Sequence, residues 1–198
     1  AWDAAELGRG RPGWHVECVC IAQDALGLPF DIQAGGSDLV FPHHDLSAAH
    51  SVALGRPFAA AYAHSGMVAH EGEKMSKSLG NLVFVHRLVR EGVDPMAIRL
   101  VLMAHHYRSD WQWSEQELEQ ATTRMEHYRR AARRGGLHPA TVEEMRDALR
   151  DDLDTARALE ALDAWAEGTT DPEADASATG PGDVPAALDA LFGITLEG

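Results

Sequence analysis

Strand-like and helix-like segments alternate through the first third of this 198-residue chain. Four elements are predicted there: a helix over 15–26, a strand over 30–33, a helix over 43–54 and a strand over 61–68. This alternation is typical of a parallel sheet with crossover helices, in which ligands bind beyond the carboxyl ends of the strands. Gly35-Gly36-Ser37-Asp38 and the polar loop 70–81 follow the two predicted strands, so we expect both segments at a site.

The rest of the chain has a helical pattern. Helices are predicted over 82–90, from Asp94-Pro95 onwards, from Ser114 to Arg134, over 141–167 and over 185–192. Residues 168–185 are rich in Gly, Pro, Ser, Thr, Asp and Ala, which predicts a mobile loop. We therefore expect an α/β domain over 1–81 followed by an all-α domain, a helical bundle, over 82–198.

Charge and composition exclude several functional classes. The chain has 31 acidic and 17 basic residues, a net charge of −14, which disfavours non-specific nucleic-acid binding. No apolar run reaches the ~18 residues needed to cross a membrane, and the first residues lack the layout of a secretory signal. The two cysteines, Cys18 and Cys20, are too close in sequence for a structural disulfide, so we expect a cytoplasmic protein.

The two lysines of the chain stand in one short loop, whereas fifteen other basic residues are arginine. That loop reads Lys74, Met75, Ser76, Lys77 and Ser78. A compact ammonium group suits a phosphate oxygen where a planar guanidinium does not. Two such groups on a mobile loop could follow charge onto a leaving pyrophosphate, so Lys74 and Lys77 are candidate catalytic residues.

Two soft metal ligands, Cys18 and His43, lie 25 residues apart. On its own this pair is more typical of two core residues than of a zinc site, which needs three or four ligands. Cys20 is interpreted as a small buried residue. His44 is interpreted as a core residue or as a support of the site.

These motifs together resemble the class I aminoacyl-tRNA synthetases. Residues 74–78 spell KMSKS, a signature of that family. The segments 10–18 (GRPGWHVEC), 35–39 (GGSDL) and 41–44 (FPHH) resemble its cysteine-activating branch. The resemblance covers nearly the whole chain from Trp2. It implies the C-terminal part of a Rossmann-like catalytic domain followed by a helical bundle.

The resemblance also implies roles for individual residues. In this branch, the cysteine and histidine that match Cys18 and His43 bind zinc together with a cysteine from the N-terminal half. An open zinc position then selects the thiol of the substrate. The substrate cysteine and the adenylate are contacted by the residues that match Trp14, Gly36, Ser37, Asp38 and Val68. ATP with magnesium is the expected nucleotide.

Two enzymes share this branch: cysteinyl-tRNA synthetase and a ligase of mycothiol biosynthesis that joins cysteine to the amine of glucosaminyl-inositol. Ser47 stands where the synthetase has a glutamate as fourth zinc ligand, and Asp45 would face another side of the helix. Gln33 stands where the synthetase commonly has histidine. Residues 140–198 carry fifteen acidic residues against three arginines, which disfavours tRNA.

We therefore expect an ATP-dependent, AMP-forming carbon–nitrogen ligase. Its expected substrates are L-cysteine, ATP and glucosaminyl-inositol, and it is expected to be a monomer that binds neither nucleic acid nor membrane. The family's HIGH-type signature and the first zinc cysteine belong to the N-terminal half and do not occur in the sequence. We expect the chain to be a C-terminal half that is inactive alone. A cysteinyl-tRNA synthetase and a non-catalytic fragment that binds nucleotide or a partner stay open as alternatives.

Overall fold

The computed structural model describes residues 2–3 and 5–197, which form two compact units, residues 1–67 and 68–198. The KMSKS loop belongs to the second unit. The domain boundary predicted at residue 81 stays a prediction.

The first unit is built around a parallel strand–helix–strand motif. Its elements are β1 (Trp2–Asp3), β2 (Arg9–Gly10), α1 (Trp14–Leu26), β3 (Phe30–Gly36), α2 (Asp45–Ala53) and β4 (Ala59–Ser65). β3 pairs in parallel with β4, from Phe30 opposite Ala59 to Gly36 opposite Ser65. Between β3 and α2 the chain makes a short 3₁₀ turn, Ser37–Leu39, and an irregular turn, Val40–His44. The predicted parallel pairing is confirmed, and β3 continues through the glycine pair that was predicted to end it.

The second unit combines a small sheet with seven helices, as far as its described residues show. Its elements are β5 (Val68–His70), β6 (Glu73–Lys74), α3 (Val85–Arg90), α4 (Pro95–Met103), β7 (Trp111–Trp113), α5 (Glu115–Arg134), α6 (Pro139–Arg150), α7 (Thr155–Glu167), α8 (Pro172–Ser177) and α9 (Val184–Phe192). β5 lies in the middle of the sheet, antiparallel to β6 and parallel to β7.

The apolar core of the second unit lies among its long helices. Its fully buried side chains include Leu100, Met125, Tyr128, Met145, Leu159, Leu162, Leu188 and Phe192. A partly buried polar contact also joins α5 to α7, because Arg124 donates two hydrogen bonds to Asp163, of 2.9 and 2.6 Å. The fold class expected from the sequence, α/β followed by all-α, is confirmed.

Two details of the second half differ from the prediction. The helix predicted over 141–167 is interrupted after Arg150, where Asp152 and Leu153 adopt positive φ angles of 55° and 58°. Asp154 then caps a new helix by accepting a hydrogen bond from the backbone N–H of Arg157. The predicted loop 168–185 contains the short helix α8.

In the described part of the chain no helix is both long and apolar enough to cross a membrane.

Candidate functional site

The imidazole of His43 lies at the end of the irregular turn before α2, and only 7% of the residue is exposed. Its ring is stacked on the indole of Trp14, with ring centroids 3.6 Å apart and an angle of 18° between the planes. The Nδ1 atom is buried and has no hydrogen-bond partner among the described residues. A buried nitrogen in that state is available to a group outside the described residues, such as a water molecule or an ion.

Cys18 lines the same cavity as His43. It stands one helical turn after Trp14 on α1, and its thiol is partly exposed and not in a disulfide. The cavity has a volume of about 490 Å³, and its walls are mainly apolar. Trp14, Cys18 and His43, which the sequence offered as separate candidates, therefore lie around one site. Cys20 was predicted to be buried, and this is wrong because the residue is exposed.

The thiol and the imidazole fit the donor set that zinc prefers. Within residues 2–3 and 5–197 no group of three or more His, Cys, Asp or Glu side chains could hold a metal ion. Cys18 and His43 can thus supply two ligands, and a complete zinc site needs at least one more.

Ser47 lies one helical turn after His43 and is 1% exposed. Its hydroxyl donates a 2.7 Å hydrogen bond to the backbone carbonyl of His43, a local bond that serine often makes inside helices. The hydroxyl is therefore engaged with the backbone. Asp45, the alternative considered above, is exposed and lines a separate cavity with Tyr62 and His64.

The glycine pair at the end of β3 allows two close approaches. A Cβ atom on Gly35 would lie 2.8 Å from Cε1 of His44, and one on Gly36 would lie 2.6 Å from Oδ1 of Asp38. Ser37 and Asp38 follow in the 3₁₀ turn and are exposed. The segment predicted to contact the adenylate is thus a tight turn that presents a hydroxyl and a carboxylate at the carboxyl end of a strand.

A hydrogen-bonded chain of three side chains lies beside this turn. The amide Nε2 of Gln33 donates to Nε2 of His44 over 2.8 Å, and Nδ1 of His44 lies 2.7 Å from Nε2 of His64. Burial, and secondarily the neighbouring His64 and His43, lowers the pKa of His44. Sequence reasoning missed His64 altogether. The one signal in the sequence is Gly35, whose missing side chain leaves room for the His44 ring.

The KMSKS loop connects β6 to α3 and is held in shape by its own polar groups. Asn81 accepts a hydrogen bond from the Ser76 N–H (2.9 Å), and its amide donates to the carbonyl of Lys74 (3.3 Å). The hydroxyls of Ser76 and Ser78 are 3.1 Å apart. Lys74 and Lys77 are exposed, whereas Met75 packs against the helical core. Both lysines are therefore exposed residues on a loop whose base is anchored.

Val68 begins β5, in parallel register with Trp111, and its side chain also packs against the helical core. Its backbone is part of the sheet that leads into the KMSKS loop through the β5–β6 hairpin.

Comparisons with known proteins agree with the motifs. The chain is 77% identical over 197 residues to the L-cysteine:1D-myo-inositol 2-amino-2-deoxy-alpha-D-glucopyranoside ligase of Brachybacterium faecium, a match that covers 100% of this chain and 47% of that protein. It is 57% identical over 205 residues to the ligase of the same name from Streptomyces avermitilis, covering 99% of this chain and 49% of that protein. The chain thus spans about half the length of the curated relatives it matches.

Solved structures of tRNA synthetases share the fold. The LeuRS of Agrobacterium radiobacter K84, in a ternary complex with tRNA and LeuAMS, superposes with a TM-score of 0.57 at 17% identity, covering 76% of this chain and 24% of that one. Methionyl-tRNA synthetase of Mycobacterium tuberculosis, bound by methionyl-adenylate, gives 0.54 at 20% identity, covering 73% and 34%. The family profile described as "tRNA synthetases class I (C) catalytic domain" matches residues 1–123, more than half of the chain. The resemblance predicted from the motifs is confirmed, and the chain belongs to the class I (C) tRNA synthetase catalytic domain family.

Proposed function

We propose that this chain is the C-terminal half of an ATP-dependent ligase that joins L-cysteine to the amine of glucosaminyl-inositol. The observation that carries the proposal is the likeness, over the full length of the chain, to ligases named for that reaction. The engaged hydroxyl of Ser47 supports the ligase over the synthetase, because it leaves no fourth protein ligand one turn after His43.

Cys18 and His43 bind the metal in this proposal, with a further ligand from the other half of the enzyme. When bound, zinc supplies a position that prefers a thiolate to a hydroxyl and so separates cysteine from serine. Trp14 fixes the plane of the His43 ring by stacking on it. Gly36, Ser37 and Asp38 contact the adenylate, where the absence of a Gly36 side chain lets Asp38 fold back against the turn.

In the proposed first step, the carboxylate of cysteine attacks the α-phosphorus of ATP. A P–O bond forms, the bond to pyrophosphate breaks, and negative charge moves onto the leaving group. Lys74 and Lys77 stabilise that charge, and magnesium accompanies the nucleotide. Met75 and Asn81 anchor the base of the loop, which supports a role in which the two lysine side chains move while the backbone beneath them is held.

In the second step, the amine of glucosaminyl-inositol attacks the acyl carbon of cysteinyl adenylate. The C–N bond forms, AMP leaves with the electrons of the acyl C–O bond, and the amine releases its proton to solvent. The C-terminal third is acidic, whereas tRNA is a polyanion that binds to positive surfaces. This supports a small acceptor with a neutral or protonated amine over tRNA.

The surface of the first unit supports the view that more protein packs against it. Six large apolar side chains there are between 61% and 71% exposed: Ile21, Leu26, Ile32, Phe41, Val52 and Leu54. A two-stranded sheet is marginal alone, and parallel sheets are normally covered on both faces. The N-terminal half of the enzyme is the proposed cover.

The test is transfer of activated, labelled cysteine by the full-length protein to glucosaminyl-inositol and to tRNA in parallel reactions. We expect an amide product with the sugar and AMP release that depends on it. Efficient tRNA charging without a sugar product would overturn the ligase proposal and favour a cysteinyl-tRNA synthetase. Absence of cysteine-dependent ATP–pyrophosphate exchange would favour a non-catalytic binding protein.

A further inference from the structure

The side chain of Gln33 is held by a hydrogen-bonded chain that runs through His44 to His64. Since an amide N–H can only donate, Nε2 of His44 accepts from Gln33 over 2.8 Å, and the proton of His44 is on Nδ1. That Nδ1–H donates to Nε2 of His64 over 2.7 Å. Both nitrogens of His44 are thus used, and the ring cannot turn without breaking two hydrogen bonds.

The backbone of β3 is shaped to hold this ring. His44 is 3% exposed and packs directly over Gly35, where any Cβ would lie 2.8 Å from Cε1 and 3.4 Å from Nε2 of the ring. His64, in turn, stands opposite Gly35 in the parallel register of β3 and β4. The position of His44 is therefore set by the sheet itself.

Gln33 also lines the cavity that contains Cys18 and His43. The amide N–H of Gln33 is directed at His44. The side-chain carbonyl oxygen then remains for a ligand, and it can only accept a hydrogen bond. Ser47, the other neutral polar side chain of this cavity, has its hydroxyl engaged with the backbone. The rest of the lining is apolar apart from Cys18 and His43.

The groups of cysteine limit what such an acceptor can bind. The carboxylate has no proton to donate, and the thiol loses its proton when it binds a metal. The ammonium group, with three N–H donors, is the group that a carbonyl oxygen can recognise.

We propose that the side-chain carbonyl of Gln33 accepts a hydrogen bond from the ammonium group of bound cysteine, and that His44, supported by His64, is the positioning residue that fixes the Gln33 amide. This inference rests on the proposed function, because it takes the cavity of Cys18 and His43 to be the cysteine site.

The test compares two substrates in ATP–pyrophosphate exchange by the full-length protein. One is L-cysteine, and the other is mercaptopropionate, its desamino analogue, which keeps the thiol and the carboxylate but has no ammonium group. Gln33→Met removes both polar atoms and keeps the length of the side chain. We expect it to lower kcat/KM for cysteine by about 10- to 100-fold, as for a lost hydrogen bond to a charged group. The rate with mercaptopropionate should stay unchanged.

Two further variants separate positioning from general damage. His64→Leu removes the support of His44 without touching the cavity, and we expect a smaller fall in the same cysteine-to-mercaptopropionate ratio. Gln23→Met makes the identical chemical change at an exposed position of α1, and it should leave both rates unaltered.

The ratio decides the inference. If Gln33→Met leaves the cysteine-to-mercaptopropionate ratio unchanged, including by equal loss with both substrates, the role of Gln33 is overturned. If His64→Leu leaves the ratio unchanged, the positioning role of His44 is overturned. If the unmodified protein shows no cysteine-dependent exchange, the proposed function fails and this inference fails with it. Exchange in the unmodified protein together with an unchanged ratio in the variants rejects this inference alone.

Discussion

Replacing Gly35 by alanine should displace the His44 ring and destabilise the first unit. The added Cβ would meet Cε1 of His44 at 2.8 Å and Cδ1 of Leu39 at 3.0 Å. The ring cannot step aside, because it is 3% exposed and bonded at both nitrogens. Overpacking of this kind costs about 1–3 kcal/mol, and each hydrogen bond lost costs about 0.5–1.5 kcal/mol.

A smaller effect has the opposite sign. Alanine lowers the conformational entropy of the unfolded chain relative to glycine, which stabilises the folded protein by about 0.4–1 kcal/mol. We therefore expect a net loss of about 2 kcal/mol in the free energy of unfolding. With a urea m-value of about 1–3 kcal/mol/M, that loss lowers the unfolding midpoint by roughly 1 M. The assay is urea unfolding of the full-length protein followed by tryptophan fluorescence.

Gly36→Ala is the matched control at the next position. Its Cβ would lie 2.6 Å from Oδ1 of Asp38 and 3.2 Å from Sδ of Met67, which are both far ends of side chains and yield more readily than a buried ring. We expect a loss well under half of that for Gly35→Ala. Equal stability of Gly35→Ala and the unmodified protein would refute the reasoning, because it would show that the His44 ring is free to move.

Three other predictions concern the site. Lys77→Ala should slow adenylate formation by roughly 3 kcal/mol of activation free energy, with little change in cysteine binding; single-turnover kinetics with an unaltered activation rate would contradict this. Ser47→Glu should place a carboxylate one turn from His43 and weaken cysteine binding. Adenylate formation should be retained in a pyrophosphate-exchange assay, and a charging assay should show no gain of tRNA charging. The pKa of His44 is lowered in the folded chain, so the unfolded chain takes up the proton first on acidification. The free energy of unfolding is therefore at its full value above about pH 6.5 and decreases as the pH falls towards the folded pKa. Urea midpoints measured across that range should fall on acidification, and less so in His44→Asn.

Local rules were enough to predict the long elements of the chain. α5 begins after Ser114, whose hydroxyl accepts the N–H of Glu117, and it ends at Arg134 before a glycine pair, as predicted. These signals lie within one turn of the element they define, so a sequence window contains them. The break after Arg150 depends on two residues with positive φ, Asp152 and Leu153, which a helical period does not register.

Contacts between distant residues explain what the sequence could not predict. The segment 168–185 was predicted to be a loop from its composition, but Asp175 in α8 lies 2.9 Å from Nδ1 of His138 and accepts a hydrogen bond from the Ala140 N–H. In the same way, the approach of Cys18 and His43 to one cavity was inferred from the resemblance, since their spacing alone is typical of core residues. The chain from Gln33 through His44 to His64 joins three elements, and no periodicity in the sequence marks it.

Met75 stands between the two lysines of the KMSKS loop and packs against the apolar core of α4 to α7. A ligand that holds the lysines in one arrangement therefore also restrains a side chain on which the helices pack. By thermodynamic linkage, part of the binding free energy then opposes unfolding of the helices, up to about 2.7 kcal/mol at a ligand concentration of 100 Kd. If the loop binds nucleotide as proposed, the melting temperature of the helical unit should rise with nucleotide concentration, which can be measured without any catalysis.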